Sequence, residues 1–384
     1  MKHVYADNNA TTRVDPEVIA AMMPYLTEHY GNPSSMHEFG GSVGRAVERA
    51  REQLAECLGA HAPTEIVFTS CGTESDNTAI RSALASRKDR KRIITTRVEH
   101  PAVLTLCRYL EREGYEIRYL PVDKKGNLQL NDLREAMDDQ VAVVSIMAAN
   151  NETGVLFPVA EAAGIAHEHG ALFHTDAVQA IGKIPLDLKT TEIDLVSVSG
   201  HKIHAPKGIG VLYIRKGCRF RPMMLGGHQE RGRRGGTENV AGIVAMGVAA
   251  ALSQKHLPEE QTRVRLMRDR LEKSLLKIPN SVVNGDCENR LPGTLNVSFQ
   301  FVEGEAMLLM LDQKGICASS GSACTSGTLE PSHVLRALGV PFSFAHGSLR
   351  FSLGRFNTDA DVDYIIEQTP PIIERLREIS PFKE

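Results

Sequence analysis

The sequence predicts an α/β protein: a mostly parallel sheet with helices on its faces, to which a smaller α+β unit is appended. Three observations predict it. Short apolar runs alternate with longer helix-periodic segments from about residue 43 to 250, the mark of successive strand–helix–strand units. Beyond residue 258 the texture changes to a charged helical stretch, two further strands and a terminal helix. The 384 residues, 42% hydrophobic and 24% charged, suffice for one large domain and a smaller one.

In chain order, the apolar runs place strands over 65–69, 92–96, 115–120, 141–147, 171–174, 194–198 and 210–214. Helical periodicity covers 42–58, 74–85, 101–113 and 158–169. The Ala- and Gly-rich stretch 240–252 is too short for the roughly 20 apolar residues of a membrane span, so it is expected as a tightly packed interior helix. A charged helix over 259–276 follows, then strands over 293–299 and 349–352 around a Gly/Ser-rich stretch, and a helix from Asp359. With the boundary near 255, the large domain spans 13–255, and 1–12 joins 256–384 in the small one.

A net charge of -3 gives no reason to expect nucleic acid or an anionic membrane as partner. The opening Met1-Lys2-His3-Val4-Tyr5-Ala6-Asp7 lacks the apolar core of a signal peptide, which leaves the cytoplasm as the default location. Seven scattered cysteines (Cys57, Cys71, Cys107, Cys218, Cys287, Cys317, Cys324) contain no C-x-x-C pair, so neither a disulfide framework nor a metal site is expected.

Ser199-Gly200-His201-Lys202 ends the sixth predicted strand on a lysine, and His174-Thr175-Asp176 ends the fifth on an aspartate. Pyridoxal phosphate needs a lysine for its Schiff base and an acid for its pyridinium nitrogen. Neighbouring strand ends of an open sheet would bring the two together, although an ordinary ion pair has the same signature. Ser70-Cys71-Gly72-Thr73 joins a strand to a helix start, a place where free backbone N–H groups can hold phosphate; such turns are also generic. Glu99-His100-Pro101 sets His100 before a helix, where its ring could stack on the cofactor and move protons, or merely be solvated. Asn151 follows a strand end, Gln179 lies three residues after Asp176, and Arg350 sits in a strand where it could hold a carboxylate or an ordinary salt bridge.

Two loops complete the reading. Gly226 to Thr237 is rich in glycine and arginine and reads as a mobile basic loop, with Thr237 a candidate for phosphate across a dimer interface. Cys324 lies among small residues in a loop over about 318–330, a placement that suits a thiol nucleophile which must enter a site and leave with cargo.

Taken together with Asp7-Asn8-Asn9-Ala10-Thr11-Thr12 and Asn150-Asn151-Glu152-Thr153-Gly154, these strings resemble the cysteine desulfurases of the NifS/IscS group along nearly the whole chain. The long Cys324 loop resembles the NifS/IscS type rather than the SufS type, and Ser70-Cys71-Gly72-Thr73 and His228-Gln229-Glu230-Arg231-Gly232-Arg233-Arg234 are more similar to the nitrogen-fixation NifS branch. The resemblance implies a pyridoxal-phosphate enzyme of fold-type I, like aspartate aminotransferase, that acts as a homodimer. It implies conversion of L-cysteine to L-alanine, with the sulfur left as a persulfide on Cys324 for an iron–sulfur scaffold of the NifU/IscU kind. Lys202 would hold the cofactor and carry protons, Asp176 would pair its ring nitrogen, Gln179 its phenolic oxygen, and His100 would stack on it. Gly72, Thr73, Ser199, His201 and the second subunit's Thr237 would hold phosphate; Asn151 and Arg350 would take the substrate carboxylate. A selenocysteine lyase, an aminotransferase and a non-catalytic sulfur-relay subunit are the alternatives.

Overall fold

The computed structural model describes residues 3–320 and 331–380. After a short strand β1 (Val4–Tyr5), seven strands build the main sheet: β2 (Ile66–Thr69), β3 (Arg92–Thr96), β4 (Glu116–Leu120), β5 (Val141–Ser145), β6 (Leu172–Asp176), β7 (Leu195–Ser199) and β8 (Gly210–Ile214). Their order is β2-β8-β7-β6-β5-β3-β4. From β7 to β4 every pair is parallel, whereas β8 runs antiparallel to both β7 and β2. The short β7–β8 connection explains the reversal, because a parallel neighbour would need a crossover of a dozen or more residues. β5, β6, β7 and β8 are buried at every position, as expected of strands covered on both faces.

Five further strands are described: β9 (Ser281–Val283), β10 (Thr294–Phe299), β12 (Ser319–Ser320) and β13 (Ser348–Ser352) make an antiparallel sheet, while β11 (Ile316–Cys317) pairs with β1 in parallel. One core gathers Leu54, Ile94, Val144, Phe173, Val198 and Met246 around the large sheet. A second gathers Val4, Ala6, Leu271, Val297, Phe299, Phe351 and Ile373, so the N-terminal strand packs with the C-terminal part of the chain. Each fully buried Leu or Phe contributes about 1.5–3 kcal/mol.

The apolar stretch beginning at Val240 is longer than its sequence suggested. Helix Val240–Glu259 continues through a π-helical turn, Glu260–Val264, into helix Arg265–Leu275. Pro258 removes one helical N–H, and the wider turn just after it absorbs the fault instead of ending the helix. By length and composition this 36-residue helix could cross a membrane, yet Ile243, Ala245, Met246, Ala249 and Ala250 are buried in the first core. Gly247 is why it packs so closely: a Cβ there would lie 2.6 Å from Ala50 Cα in helix Glu38–Cys57.

The segment from Gly226 to Thr237, expected to be mobile, is instead pinned. Glu230 turns inward and accepts bonds from Arg51 Nη1 (2.8 Å), Arg51 Nη2 (2.9 Å) and the Phe68 N–H (3.0 Å). Both side chains of that ion pair are almost fully buried, at 3% and 4% exposure. Arg234 pairs with Glu74, and Arg233 donates to the Thr64 carbonyl. A glutamate at left-handed φ (47°) persists only because the surrounding bonds hold it. Glu230→Gln leaves the backbone and volume alone but strands the Arg51 charge, and should lower unfolding stability by about 3–5 kcal/mol in urea melts. A loss below about 1 kcal/mol would mean that solvent reaches this pair.

Candidate active site

The residues that follow the C-terminal ends of β2, β3, β5, β6 and β7 converge on one edge of the sheet, where they line a cavity of about 380 Å³. Of the sequence-predicted residues, Gly72, Thr73, His100, Asn151, Asp176, Gln179, Ser199, His201, Lys202 and Arg350 all line it. Thr237 does not: it is exposed and lies outside this cavity. Cys324 falls outside the described residues.

Lys202 closes a single 3-10 turn after β7, and its ammonium donates to the carbonyls of Asn9 and Ala10 (2.8 Å to the latter). No acid touches it among the described residues. Burial, together with the Lys183 and Arg350 charges, pulls Lys202 down to about 7, against the opposing pull of Asp176 and Asp7. Asp176 is the last residue of β6, buried at 7% exposure, and its carboxylate accepts one bond, from the Val178 N–H (2.8 Å). Burial raises it to about 6, while that bond and Lys202 oppose the rise. A buried carboxylate that faces a cavity and has no ion-pair partner among the described residues fits a cationic ring nitrogen.

On another wall, helix Gly72–Ser86 begins at Cys71, which makes no side-chain capping bond, so the N–H groups of the first turn remain available to an anion. Gly72 is needed for this turn to lie against the loop after β6, since a Cβ would come within 2.9 Å of Val178 Cγ2. Thr73 is exposed to the cavity, and Ser199 ends the neighbouring strand β7. Glu74 fixes the turn by accepting the Ser70 N–H (2.8 Å) and Arg234 Nε (2.9 Å). His201 Nδ1 lies 3.2 Å from Thr11 Oγ1, and burial with the Lys202 charge brings its pKa to about 4.

His100 caps helix Pro101–Arg112: its Nδ1 accepts the Ala102 N–H (3.1 Å). In the neutral ring the proton therefore sits on Nε2, and the imidazole meets its surroundings as a donor. Burial and then Lys202 hold His100 down to about 4, so the neutral form prevails near neutrality. The adjacent Glu99 is buried and accepts from Thr96 Oγ1 (2.7 Å) and the Met147 N–H (3.1 Å), which locks the turn carrying His100. Arg350, on β13, donates from Nη2 to Asp7 Oδ1 (2.8 Å) and from Nη1 to the Asn151 carbonyl (3.0 Å). It brings a guanidinium from the small sheet to the cavity wall.

Sequence reasoning missed three participants. Asn9 receives Gln179 Nε2 (3.0 Å) on its carbonyl and Lys183 Nζ (3.0 Å) on its side-chain oxygen. Asp76 lines the cavity and is held well above the usual carboxylate range by burial and by the charge of Asp176. His174 bridges Ser145 Oγ and Ser197 Oγ across three strands, at 2.9 Å each, and lies 3.6 Å from Asp76. Only the string around Asp7 to Thr12 could have flagged Asn9; a buried helical Asp and an in-strand His carry no sequence signal.

A lysine pulled toward neutrality, a buried acid with no cation in contact among the described residues and an anion-binding helix start around one cavity suit pyridoxal phosphate. A family model described as aminotransferase class-V matches residues 4–365. The chain is 60% identical over 384 residues to a cysteine desulfurase of Trichormus azollae, an alignment that covers 100% of this chain and 96% of that protein. It is 57% identical over 383 residues to the cysteine desulfurase NifS of Azotobacter vinelandii, covering 100% of this chain and 95% of that one. A solved NifS-like protein superimposes with a TM-score of 0.92 at 41% identity, covering 98% of this chain and 100% of that one. The chain belongs to the class-V aminotransferase family and, within it, to the NifS-like cysteine desulfurases, which use pyridoxal 5'-phosphate.

Proposed function

We propose that this chain converts L-cysteine to L-alanine and carries the sulfur away as a persulfide on Cys324, with Lys202 as the residue that binds the cofactor and moves the α-proton. The observation that carries this reading is Lys202 itself: burial and the Lys183 and Arg350 charges bring it down to about 7, so the neutral amine is well populated near neutrality, and it shares a cavity with an anion-binding turn and a buried carboxylate that has no ion-pair partner among the described residues. Asp176 would pair the ring nitrogen, Gln179 the phenolic oxygen, His100 would cover the ring, and Gly72, Thr73, Ser199 and His201 would hold the phosphate. When bound, the cofactor withdraws electrons from the substrate's α-carbon and so weakens the bond from carbon to sulfur.

The rest is work for the chain's own groups. Arg350 offers a guanidinium and Asn151 an amide to the substrate carboxylate, which fixes the α-hydrogen toward Lys202. Lys202 takes that proton as a neutral amine and returns one to carbon. Cys324 attacks as a thiolate: a sulfur–sulfur bond forms, the carbon–sulfur bond breaks, and the electron pair stays with carbon, which is protonated to give alanine. A persulfide suits delivery to an iron–sulfur scaffold of the NifU/IscU kind, and the likeness to a NifS supports a link to nitrogenase maturation. To test the reading, the holoenzyme is incubated with L-cysteine and a candidate scaffold, and alanine and scaffold-bound sulfur are measured. Equal amounts of both are expected; alanine without transferable sulfur would overturn the acceptor assignment, and no alanine would overturn the reaction.

Thr237 enters this scheme from a second copy of the chain. It is exposed, lies outside the cavity of its own chain, and is held by the pinned segment around Glu230 and Arg234. If two chains share their phosphate sites, a Lys202→Ala chain mixed with a Thr237→Ala chain forms heterodimers in which one site has both residues intact. Those heterodimers should regain about half the parental activity per dimer, with tighter cofactor retention than the Thr237→Ala parent. Mixtures no more active than the two parents averaged would sink the shared site.

A further inference from the structure

Lys183 is a second half-buried lysine beside the cavity, and the reaction leaves it without a task. It lies four residues after Gln179 in the turn that follows β6, so the two side chains stand on the same face of that turn. Its ammonium donates to Gln179 Oε1 at 3.0 Å and to Asn9 Oδ1 at 3.0 Å. An ammonium has three donors and no acceptor, whereas an amide has an oxygen end and an NH₂ end. Both amides must therefore show their oxygens to Lys183 and turn their NH₂ groups away. Gln179 Nε2 consequently donates to the Asn9 carbonyl, the same oxygen that Lys202 Nζ reaches. Asn9 Nδ2 donates to Thr294 Oγ1 (2.9 Å) and the Asn151 carbonyl (3.2 Å).

The charge is kept in place from behind. Lys183 shares a water-sized space of about 20 Å³ with Glu260, Arg355, His204, His256 and Lys202. Burial pulls the ammonium down to about 8 with help from the Arg350 charge, while Glu260, on the π-helical turn, opposes the fall. Toward the cavity, Lys183 is the foremost of the charges that lower Lys202.

We propose that Lys183 is a positioning residue that sets the polarity of the cavity wall: it turns the N–H end of Gln179 toward the Lys202 side and holds a positive charge beside Lys202. The proposal rests on the assignment of Lys202 and Gln179 made above.

The test is a spectrophotometric pH titration of the cofactor bound in the resting holoenzyme, without substrate. Lys183→Met removes a positive charge, which favours the protonated linkage, and frees the Gln179 amide to turn its oxygen inward, which destabilises an anionic phenolic oxygen. Both effects move the midpoint upward, by about one unit or more, a tenfold change in the protonation equilibrium. Lys183→Arg keeps charge and donors and should return the midpoint to within about 0.3 units of the parent. Should Lys183→Met lose its cofactor, Lys183→Gln supplies a neutral side chain that still hydrogen-bonds, and its midpoint should also rise. An unmoved midpoint in either neutral variant with full cofactor content overturns the proposal. Borohydride reduction and peptide mapping separate this from failure of the underlying reading: cofactor fixed at Lys183 would sink the assignment of Lys202, whereas cofactor fixed at Lys202 with an unmoved midpoint would sink only the role of Lys183.

Discussion

Lys202→Ala is expected to lower alanine formation from cysteine by a factor on the order of 10⁴ or more, because one side chain serves both as the cofactor's covalent anchor and as the group that moves the α-proton. The surroundings of Lys202 are arranged for that double task. Its ammonium meets two backbone carbonyls and, among the described residues, no carboxylate, and burial with the charges of Lys183 and Arg350 brings it to about 7. The sign follows: because the folded value lies below the ordinary lysine value, the neutral amine is already abundant at pH 7, and it is lost as the pH falls below about 7. No neighbour can replace it. Lys183 is tied to two amide oxygens, and His100 and His201, which also line the cavity, carry no primary amine to form an imine. The variant should still take up cofactor noncovalently, which absorbance would show, but borohydride should fix none of it at position 202. An added small amine should restore part of the rate. Wild-type alanine production by Lys202→Ala would remove the central element of the mechanism.

Strands at 92–96 and 210–214 could be placed to the residue because β-branched and apolar side chains run unbroken between polar or glycine-bearing turns. Strand direction was less legible. An apolar run reads the same in either sense, so the reversal of β8 shows only in the length of its connection to β7. The continuous helix through Glu260 was hidden for a different reason: Pro258 signals a break, and a π-helical turn leaves no mark in sequence. Within the site, Lys202, Asp176 and the Gly72-Thr73 turn were legible because each sits at the end of a strand, where an open parallel sheet concentrates ligand contacts. Asn9 and Lys183 were not, since their meaning comes from each other: 174 positions separate them in the chain, and the hydrogen bond that joins them exists only in the fold. The arginine-rich segment misled for the same reason, because the partners Arg51 and Glu74 that pin it come from distant helices.

Cys324→Ala should abolish sulfur transfer to thiols and to a scaffold protein, a loss on the order of 10³ or more, while cofactor content and cysteine binding stay close to the parent. The other thiols show why no substitute is expected. Burial pushes Cys57, Cys107 and Cys218 up to about 12, where almost no thiolate exists at neutral pH. Burial also raises Cys287 and Cys317 above the ordinary thiol value. Cys71 lines the cavity, but as the first residue before helix Gly72–Ser86 it belongs to the anion-binding turn, with Ser70 Oγ 3.6 Å from its sulfur. Cys324, by contrast, lies in a stretch of small residues, Ser319-Ser320-Gly321-Ser322-Ala323-Cys324-Thr325-Ser326-Gly327-Thr328, the composition that suits a thiol which must carry sulfur to an acceptor. Cys324→Ser separates nucleophilicity from bulk, since an alcohol of nearly the same size cannot attack sulfur as a thiolate does. Both variants should fail alike, and deletion of Ser326 and Gly327 should slow delivery to a protein acceptor more than reaction with a small thiol, because only the former needs reach. Mass spectrometry of the parent after one turnover should locate the extra sulfur on the peptide containing Cys324. Extra sulfur on Cys71 or Cys317, together with a wild-type rate in Cys324→Ala, would move the nucleophile to the cavity wall or to β11 and make the loop dispensable.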